Sequence, residues 1–278
     1  MPVDPETLPA DPLRRLEAIM AVLLGPDGCP WDKEQDHRTL RTNLLEEAYE
    51  VLQVLDAPGR IQDRKLAEEL GDLLLQIVFH AALAHRRDSF SLDDVASLIT
   101  EKLIRRHPHV FSDVEVRDAD DVRANWEQIK QEEGRTSSLE GVPPALPALL
   151  RAATVLSRAE QAGFRWPDIT GARAKVDEEM AEFTHALEAG EREAVDHEFG
   201  DLLLSLITLA RMHGTEPESA LREAVARFEN RFRRMEAGLA RRGIDLSSLA
   251  EAELLQLWDQ SRRDDDPQSP SGSPAPAS

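Results

Sequence analysis

Apolar positions recur along this chain at intervals of three and four residues, the repeat of an amphipathic helix. Leu13, Leu16, Ile19, Met20 and Leu23 follow it and predict a first helix beginning near Leu13. The proline-rich residues 1–12 before it read as a disordered arm. Gly25-Pro26-Asp27-Gly28 stops that helix. A loop, Cys29-Pro30-Trp31-Asp32, leads to a second helix, for which Asn43 and Glu46 look like a capping pair, with a start one turn earlier as the alternative. Pro58-Gly59 ends it, and a partner helix runs from about Asp63 to His85. Ser91-x-x-Asp94 opens a helix through Arg106, and Asp118-x-x-Asp121 opens another to about residue 132. Gly134, Ser137, Ser138, Gly141, Pro143, Pro144 and Pro147 mark residues 134–147 as a linker.

A second helical series follows that linker. It comprises a helix near residues 146–162, the loop Phe164-Arg165-Trp166-Pro167-Asp168, and an acidic helix pair. Thr215-x-x-Glu218 then opens a long arginine-rich helix, and Ser248-x-x-Glu251 opens the last one. Residues 264–278, acidic and then Ser/Pro-rich, read as a disordered tail. The only strand candidate is a weak alternation over residues 110–116. The expected architecture is all-α, with one helical unit over residues 13–133 and a second over 148–263.

The polar positions carry a repeat. Glu46-Glu47-x-x-Glu50 precedes Glu69-x-x-Asp72 in the first unit, and Glu178-Glu179-x-x-Glu182 precedes Glu198-x-x-Asp201 in the second. Three further landmarks recur in the same order. Trp31-Asp32 matches Trp166-Pro167-Asp168; Lys102 and Arg106 match Arg227 and Arg231; Trp126 matches Trp258. The chain reads as one ancestral helical unit duplicated in tandem.

Composition narrows the classes of function. A formal net charge of −20 argues against a protein that coats nucleic acid. A single cysteine, Cys29, rules out an intrachain disulfide and fits a cytoplasmic setting. No signal peptide is visible, and no apolar run approaches the ~18–20 residues that span a bilayer. Residues 73–83 and 202–210 are nonetheless too apolar for helices with one solvated side, so a homodimer or larger assembly is expected.

On a helix, residues three and four apart share a face, so each acidic word concentrates carboxylates on one stripe. One such word alone is usually a solvated face. Two copies, each followed by ExxD and an apolar run, point instead to carboxylates from facing helices meeting around a hard divalent cation such as Mg2+. Cations at i,i+4 suit phosphate oxygens, and a tryptophan suits a flat ring, which together describe a nucleoside triphosphate site. There is no Gly-x-x-x-x-Gly-Lys loop. Bland readings stand beside these: core packing for the tryptophans, surface pairing for Arg222, Arg233 and Arg234, and helix-dipole cations for Lys102, Arg105 and Arg106. Glu182-x-x-His185 is a single ExxH, whereas a di-iron bundle needs two.

The strings Cys29-Pro30-Trp31-Asp32, Leu45-Glu46-Glu47-Ala48-Tyr49-Glu50, Glu68-Glu69-Leu70-Gly71-Asp72 and Arg105-Arg106-His107-Pro108-His109-Val110-Phe111 resemble the MazG family. The resemblance covers roughly residues 13–263. It implies an all-α, Mg2+-dependent nucleoside triphosphate pyrophosphohydrolase of two tandem MazG-like units, which cleaves between the α and β phosphates to release a monophosphate and pyrophosphate. It also implies a dimer of interlocked helices and a house-cleaning role. Carried over to this sequence, Glu179, Glu182, Glu198 and Asp201 would be the metal ligands with Glu178 beside them. Lys175, Arg227, Arg231, Trp258 and Arg262 would contact the nucleotide. Glu46, Glu47, Glu50, Glu69 and Asp72 form the second candidate site, in a unit that can be mainly structural. His197 stands where an acidic residue is common. The competing reading is a non-catalytic, nucleotide-sensing or partner-binding helical protein whose metal is structural.

Overall fold

The computed structural model describes residues 3–57, 59–118, 121–122, 125–126, 129 and 136–263. These residues contain no strand, and eleven α-helices have both ends among them. The chain divides into two compact units, Met1–Thr136 and Ser137–Ser278.

In the first unit, α1 (Pro12–Leu23) starts where the Asp11 carboxylate accepts from the Arg14 amide and Pro12 occupies the first turn. The arm expected before it carries, in its described part, a 3-10 turn at Pro5–Thr7. The Arg15 guanidinium on α1 donates to the Pro5 carbonyl and holds that turn. A short α2 (Pro30–Lys33) precedes the hairpin of α3 (Arg41–Asp56) and α4 (Asp63–His85). Helix α4 packs against α1 and α3, and its C-terminal half supplies most of the core. Val78, Phe79, Ala81 and Leu83 meet Met20 and Leu24, with Leu40 and Leu92 closing the cluster. Helix α5 (Leu92–Arg106) opens on the full Ser91/Asp94 capping box, and α6 (Pro108–Phe111) follows. Beyond α6, the Asp121 amide donates to the Asp118 carboxylate, as the spacing predicts. Residues 121–122, 125–126 and 129 are helical, and the rest of that element to residue 132 lies outside the described residues.

The second unit contains α7 (Ala148–Gln161), α8 (Ile169–Ala189), α9 (Arg192–Met212), α10 (Pro217–Arg241) and α11 (Glu251–Arg263). Asp168 caps α8 by accepting from the Gly171 amide. A Cβ at Gly171 would stand 3.1 Å from the Trp166 ring, so the loop tryptophan lies directly on the first turn of α8. Gly190, at φ +72°, is left-handed and lets α8 turn back into α9 within two residues. The two helices pack along their length, and the Phe183 and Phe199 rings, 5.6 Å apart, fix their register. Helix α10 packs on α7, α9 and α11.

Four local expectations are corrected. Asn43 does not cap α3, which starts at Arg41; Asp36 instead takes the amides of Arg38 and Thr39 in the turn before it. Glu216, not Thr215, caps α10, because its carboxylate reaches the amides of Glu218 and Ser219. Ser248 lies in a 3-10 turn, its hydroxyl on the Asp245 carbonyl, while Glu253 accepts from the Ala250 amide at the head of α11. Val110 and Phe111 belong to α6, because Pro108 sets the first helical turn.

Candidate metal and nucleotide site

Helix α8 presents Glu179 and Glu182, three apart, towards Glu198 of α9. One carboxylate oxygen from each lies within 4.8 Å of the others. Glu198 also belongs to a second group with that property, together with His197 and Asp201. The four expected ligands therefore fall into two overlapping donor sets that share Glu198. Glu179 is only 5% exposed, whereas Glu182 is exposed. A buried carboxylate is costly unless it is paired. Its partner here is Lys175, one turn earlier, whose ammonium lies 2.7 Å from both Glu178 and Glu179. Those hydrogen bonds, Glu178 first, raise the Lys175 pKa above its ordinary value. Glu178 itself points outward and belongs to neither donor set.

The first unit builds a related cluster with a different wiring. Glu47 and Glu50 from α3 meet Glu69 from α4. Here Glu69 is the buried carboxylate, and its cation is Lys65, one turn earlier on the same helix. The Lys65 hydrogen bond holds the Glu69 carboxyl below its ordinary range. Glu50, hydrogen-bonded to that charge, is pushed up and retains a proton more readily. Burial, followed by the charges of Asp72, Glu50, Glu69 and Glu46, also raises Glu47. Asp72 and Glu46 act on this cluster through their charge and lie outside the three-residue donor set. The lysine thus sits on the second helix of the hairpin in the first unit and on the first helix in the second unit. Asn43 stands four residues before Glu47, and Ala194 four before Glu198. The Lys-x-x-x-Glu spacing was readable at both places, but the acidic words alone hide it.

The expected phosphate side is less assembled. Arg227 pairs with Glu223, one turn back on α10, at 3.5 Å. Arg227 and Arg231, with Asn230, Arg233 and Arg234, line an open depression of about 660 Å3 on that helix. The Trp258 ring packs against Phe228 at 4.9 Å, and Phe228 stacks on Phe232. Arg262 makes a loose 3.8 Å pair with Asp259. Lys175 is seated on two of the acids, Glu178 and Glu179. Three convergent oxygen donors, one of them buried and charged, fit a hard divalent ion.

Comparison with known proteins places the chain in a family. A family model described as the MazG nucleotide pyrophosphohydrolase domain matches residues 35–111 and 170–235, which include both carboxylate clusters. The chain is 40% identical over 254 residues to "Nucleoside triphosphate pyrophosphohydrolase/pyrophosphatase MazG" of Thermotoga maritima, an alignment covering 90% of this chain and 96% of that protein. It is 40% identical over 256 residues to "Nucleoside triphosphate pyrophosphohydrolase" of Escherichia coli, again covering 90% and 96%. It is also 39% identical over 265 residues to "Uncharacterized protein YabN" of Bacillus subtilis, covering 94% of this chain and 54% of that protein.

Proposed function

Because this chain belongs to the MazG nucleotide pyrophosphohydrolase family, we propose that it is a Mg2+-dependent nucleoside triphosphate pyrophosphohydrolase whose working site is the α8–α9 cluster. The supporting observation is the convergence of Glu179, Glu182 and Glu198 on one point, with Asp201 joined through Glu198. These carboxylates would hold the ion, which when bound supplies positive charge to a triphosphate that an acidic protein would otherwise repel.

The chain's own groups divide the remaining work. Lys175 already bridges two carboxylates, and its mobile ammonium is placed to pass to a phosphate oxygen. Arg227 and Arg262, exposed on α10 and α11, and the half-buried Arg231 carry further positive charge. Trp258, packed at a tilt against Phe228, offers a ring to the base. Glu178, outside both donor sets, would accept a proton from the attacking water, with Glu182 as the alternative base. Water oxygen bonds to the α phosphorus, the bond from that phosphorus to the α,β-bridging oxygen breaks, and pyrophosphate leaves with the bond's electrons.

The protein works as a homodimer in this reading. Leu203, Leu204, Leu206 and Phe199 on α9, and Leu70, Leu74 and Ile77 on α4, are between 36% and 48% exposed. Large apolar side chains left this open on a helix normally meet a partner. No helix of the described residues is long and apolar enough to cross a membrane.

Product analysis of mixed NTPs and dNTPs with Mg2+ tests the reaction. Equal amounts of monophosphate and pyrophosphate are expected; release of single orthophosphates, or no turnover, would overturn it.

A further inference from the structure

Two half-buried histidines of the first unit form a hydrogen-bonded pair that the proposed reaction does not use. His37 lies in the turn before α3, and His80 on the C-terminal half of α4. Their rings stack with centroids 5.1 Å apart, and the two Nδ1 atoms are separated by 2.8 Å. The Arg87 guanidinium, just beyond the end of α4, lies 2.5 Å from His37 Nε2. Each proton then has one place. Arginine only donates, so His37 Nε2 accepts, and the neutral ring carries its proton on Nδ1. That proton is donated to His80 Nδ1, so His80 carries its own on Nε2. The bonds run in one direction, from Arg87 through His37 to His80, and tie the turn before α3 to α4.

We infer that the Arg87–His37–His80 chain is a pH-sensitive clasp, closed while both rings are neutral and opened by a proton on His80 Nδ1. With that proton in place, two N–H donors face each other across the pair. Moving the His37 proton to Nε2 gives no relief, because it then meets the Arg87 guanidinium. Both bonds cannot survive, and the head of α3, the helix that carries Glu47 and Glu50, is released from α4. Burial, and after it charge on His37, hold the His80 imidazole below its ordinary 6.5. A group with a lowered folded value contributes stability that is complete above its ordinary value and is lost as pH falls through the folded one, so acidification opens the clasp. The charged groups around the pair do not titrate in that window. Asp36, Arg86 and Arg87 line a depression of about 230 Å3 with His37. The amides of Thr39 and Arg38 hold Asp36 below its ordinary range, and His85 acts on Asp94. Counted from the acidic words, the second unit has Ile169, Leu209 and Glu216 at the places of His37, His80 and Arg87. Apolar residues serve that hairpin, so packing alone does not call for the two imidazoles.

The test uses the full chain and two variants, His80→Asn and Arg87→Ala. Long-range proton–nitrogen NMR follows the histidine rings from about pH 8 to about pH 5. Hydrogen exchange of the backbone amides of residues 35–44, corrected for the intrinsic effect of pH, is measured at about pH 7.5 and about pH 5.5. At the upper pH, His37 should carry its proton on Nδ1 and His80 on Nε2. His80 should gain its second proton below 6.5. In the same step, exchange in the turn should rise about two- to tenfold, as loss of a hydrogen bond predicts. His80→Asn keeps an acceptor near the place of Nδ1 and does not titrate, so the rise should disappear. Arg87→Ala changes an exposed side chain, and should let the His37 proton spread over both nitrogens and raise exchange already at the upper pH. A wild-type His37 proton held on Nε2, protonation of His80 without a change in exchange, or a rise that persists in His80→Asn overturns the inference. An unchanged His37 spectrum in Arg87→Ala also overturns it. If His80→Asn does not fold, the wild type and Arg87→Ala decide the matter. No readout involves metal or turnover, so the outcome is separate from that of the proposed function.

Discussion

Glu179 concentrates the energetic problem of the site into one side chain. It is buried, it is charged, and one lysine balances it. Removing that lysine leaves a buried charge unpaired, which is far more costly than losing a surface pair. Lys175→Met should lower the thermal midpoint of the metal-free protein, and saturating Mg2+ should recover most of the loss because an ion takes over the same role. A midpoint equal to that of the wild type without metal would show that Lys175 does not neutralise Glu179. Glu178→Gln separates proton transfer from ion binding. It should lower kcat at least about a hundredfold, the lower end expected of general-base loss, with Mg2+ affinity nearly unchanged by calorimetry. A proportional loss of both would make Glu178 a ligand instead.

At the scale of elements, the two hairpins carry similar acids with different wiring, and this makes a pH signature. In the α3–α4 hairpin, Glu47 and Glu50 have raised pKa values and Glu69 a lowered one. A raised acid stabilises the fold below its ordinary value, here 4.5, and that contribution is lost as pH rises through the folded value. A lowered acid does the reverse, so Glu69 contributes above its ordinary value and loses that contribution as pH falls. In the absence of divalent ions, melting curves should show stability lost from Glu47 and Glu50 as pH rises above about 4.5. Glu50→Gln, which keeps a donor for Glu69 and does not titrate, should flatten that part of the profile. An unchanged slope would mean that the two carboxyls share no proton. Capping is the other element-level claim. Asp168→Ala removes the acceptor for the Gly171 amide at the head of α8 and should cost about 1 kcal/mol in denaturant melts.

These elements also show what could be read from the sequence and what could not. The repeated acidic words placed the two hairpins, because a period of three to four is a local property of the chain. The Ser91/Asp94 box and the bounds of α4 were legible for the same reason. The starts of α10 and α11 were not, and that of α3 was legible only as an alternative one turn before Asn43. Several Asp, Glu, Ser or Thr residues lie near each of those heads, and only tertiary position decides which one reaches the orphan amides. The lysine's place on a different helix in each unit was hidden too, since burial of Glu69 in one unit and Glu179 in the other is set by packing. The convergence of Glu179, Glu182 and Glu198 was foreseeable from facing stripes. The tie between Trp258 and Phe228 was not, because it joins residues thirty positions apart on two different helices.

For the whole molecule, apolar side chains left open on α4 and α9 favour a homodimer, and sedimentation at micromolar concentration should give twice the 31.1 kDa chain mass. Leu74→Glu and Leu204→Glu, each placing a charge on one of those faces, should shift the species towards monomer; a monomeric wild type would remove the basis of this expectation. The formal charge of −20 makes the metal indispensable in the same reading, since a bare triphosphate would meet repulsion from the acidic clusters. The most direct test of the central claim is phosphorus NMR of the products formed from a nucleoside triphosphate and Mg2+ by the wild type, Glu47→Gln and Glu179→Gln. The account predicts monophosphate and pyrophosphate from the wild type and from Glu47→Gln, with the rate of Glu179→Gln lower by about a hundredfold or more. Undiminished turnover by Glu179→Gln, or loss confined to Glu47→Gln, would contradict it.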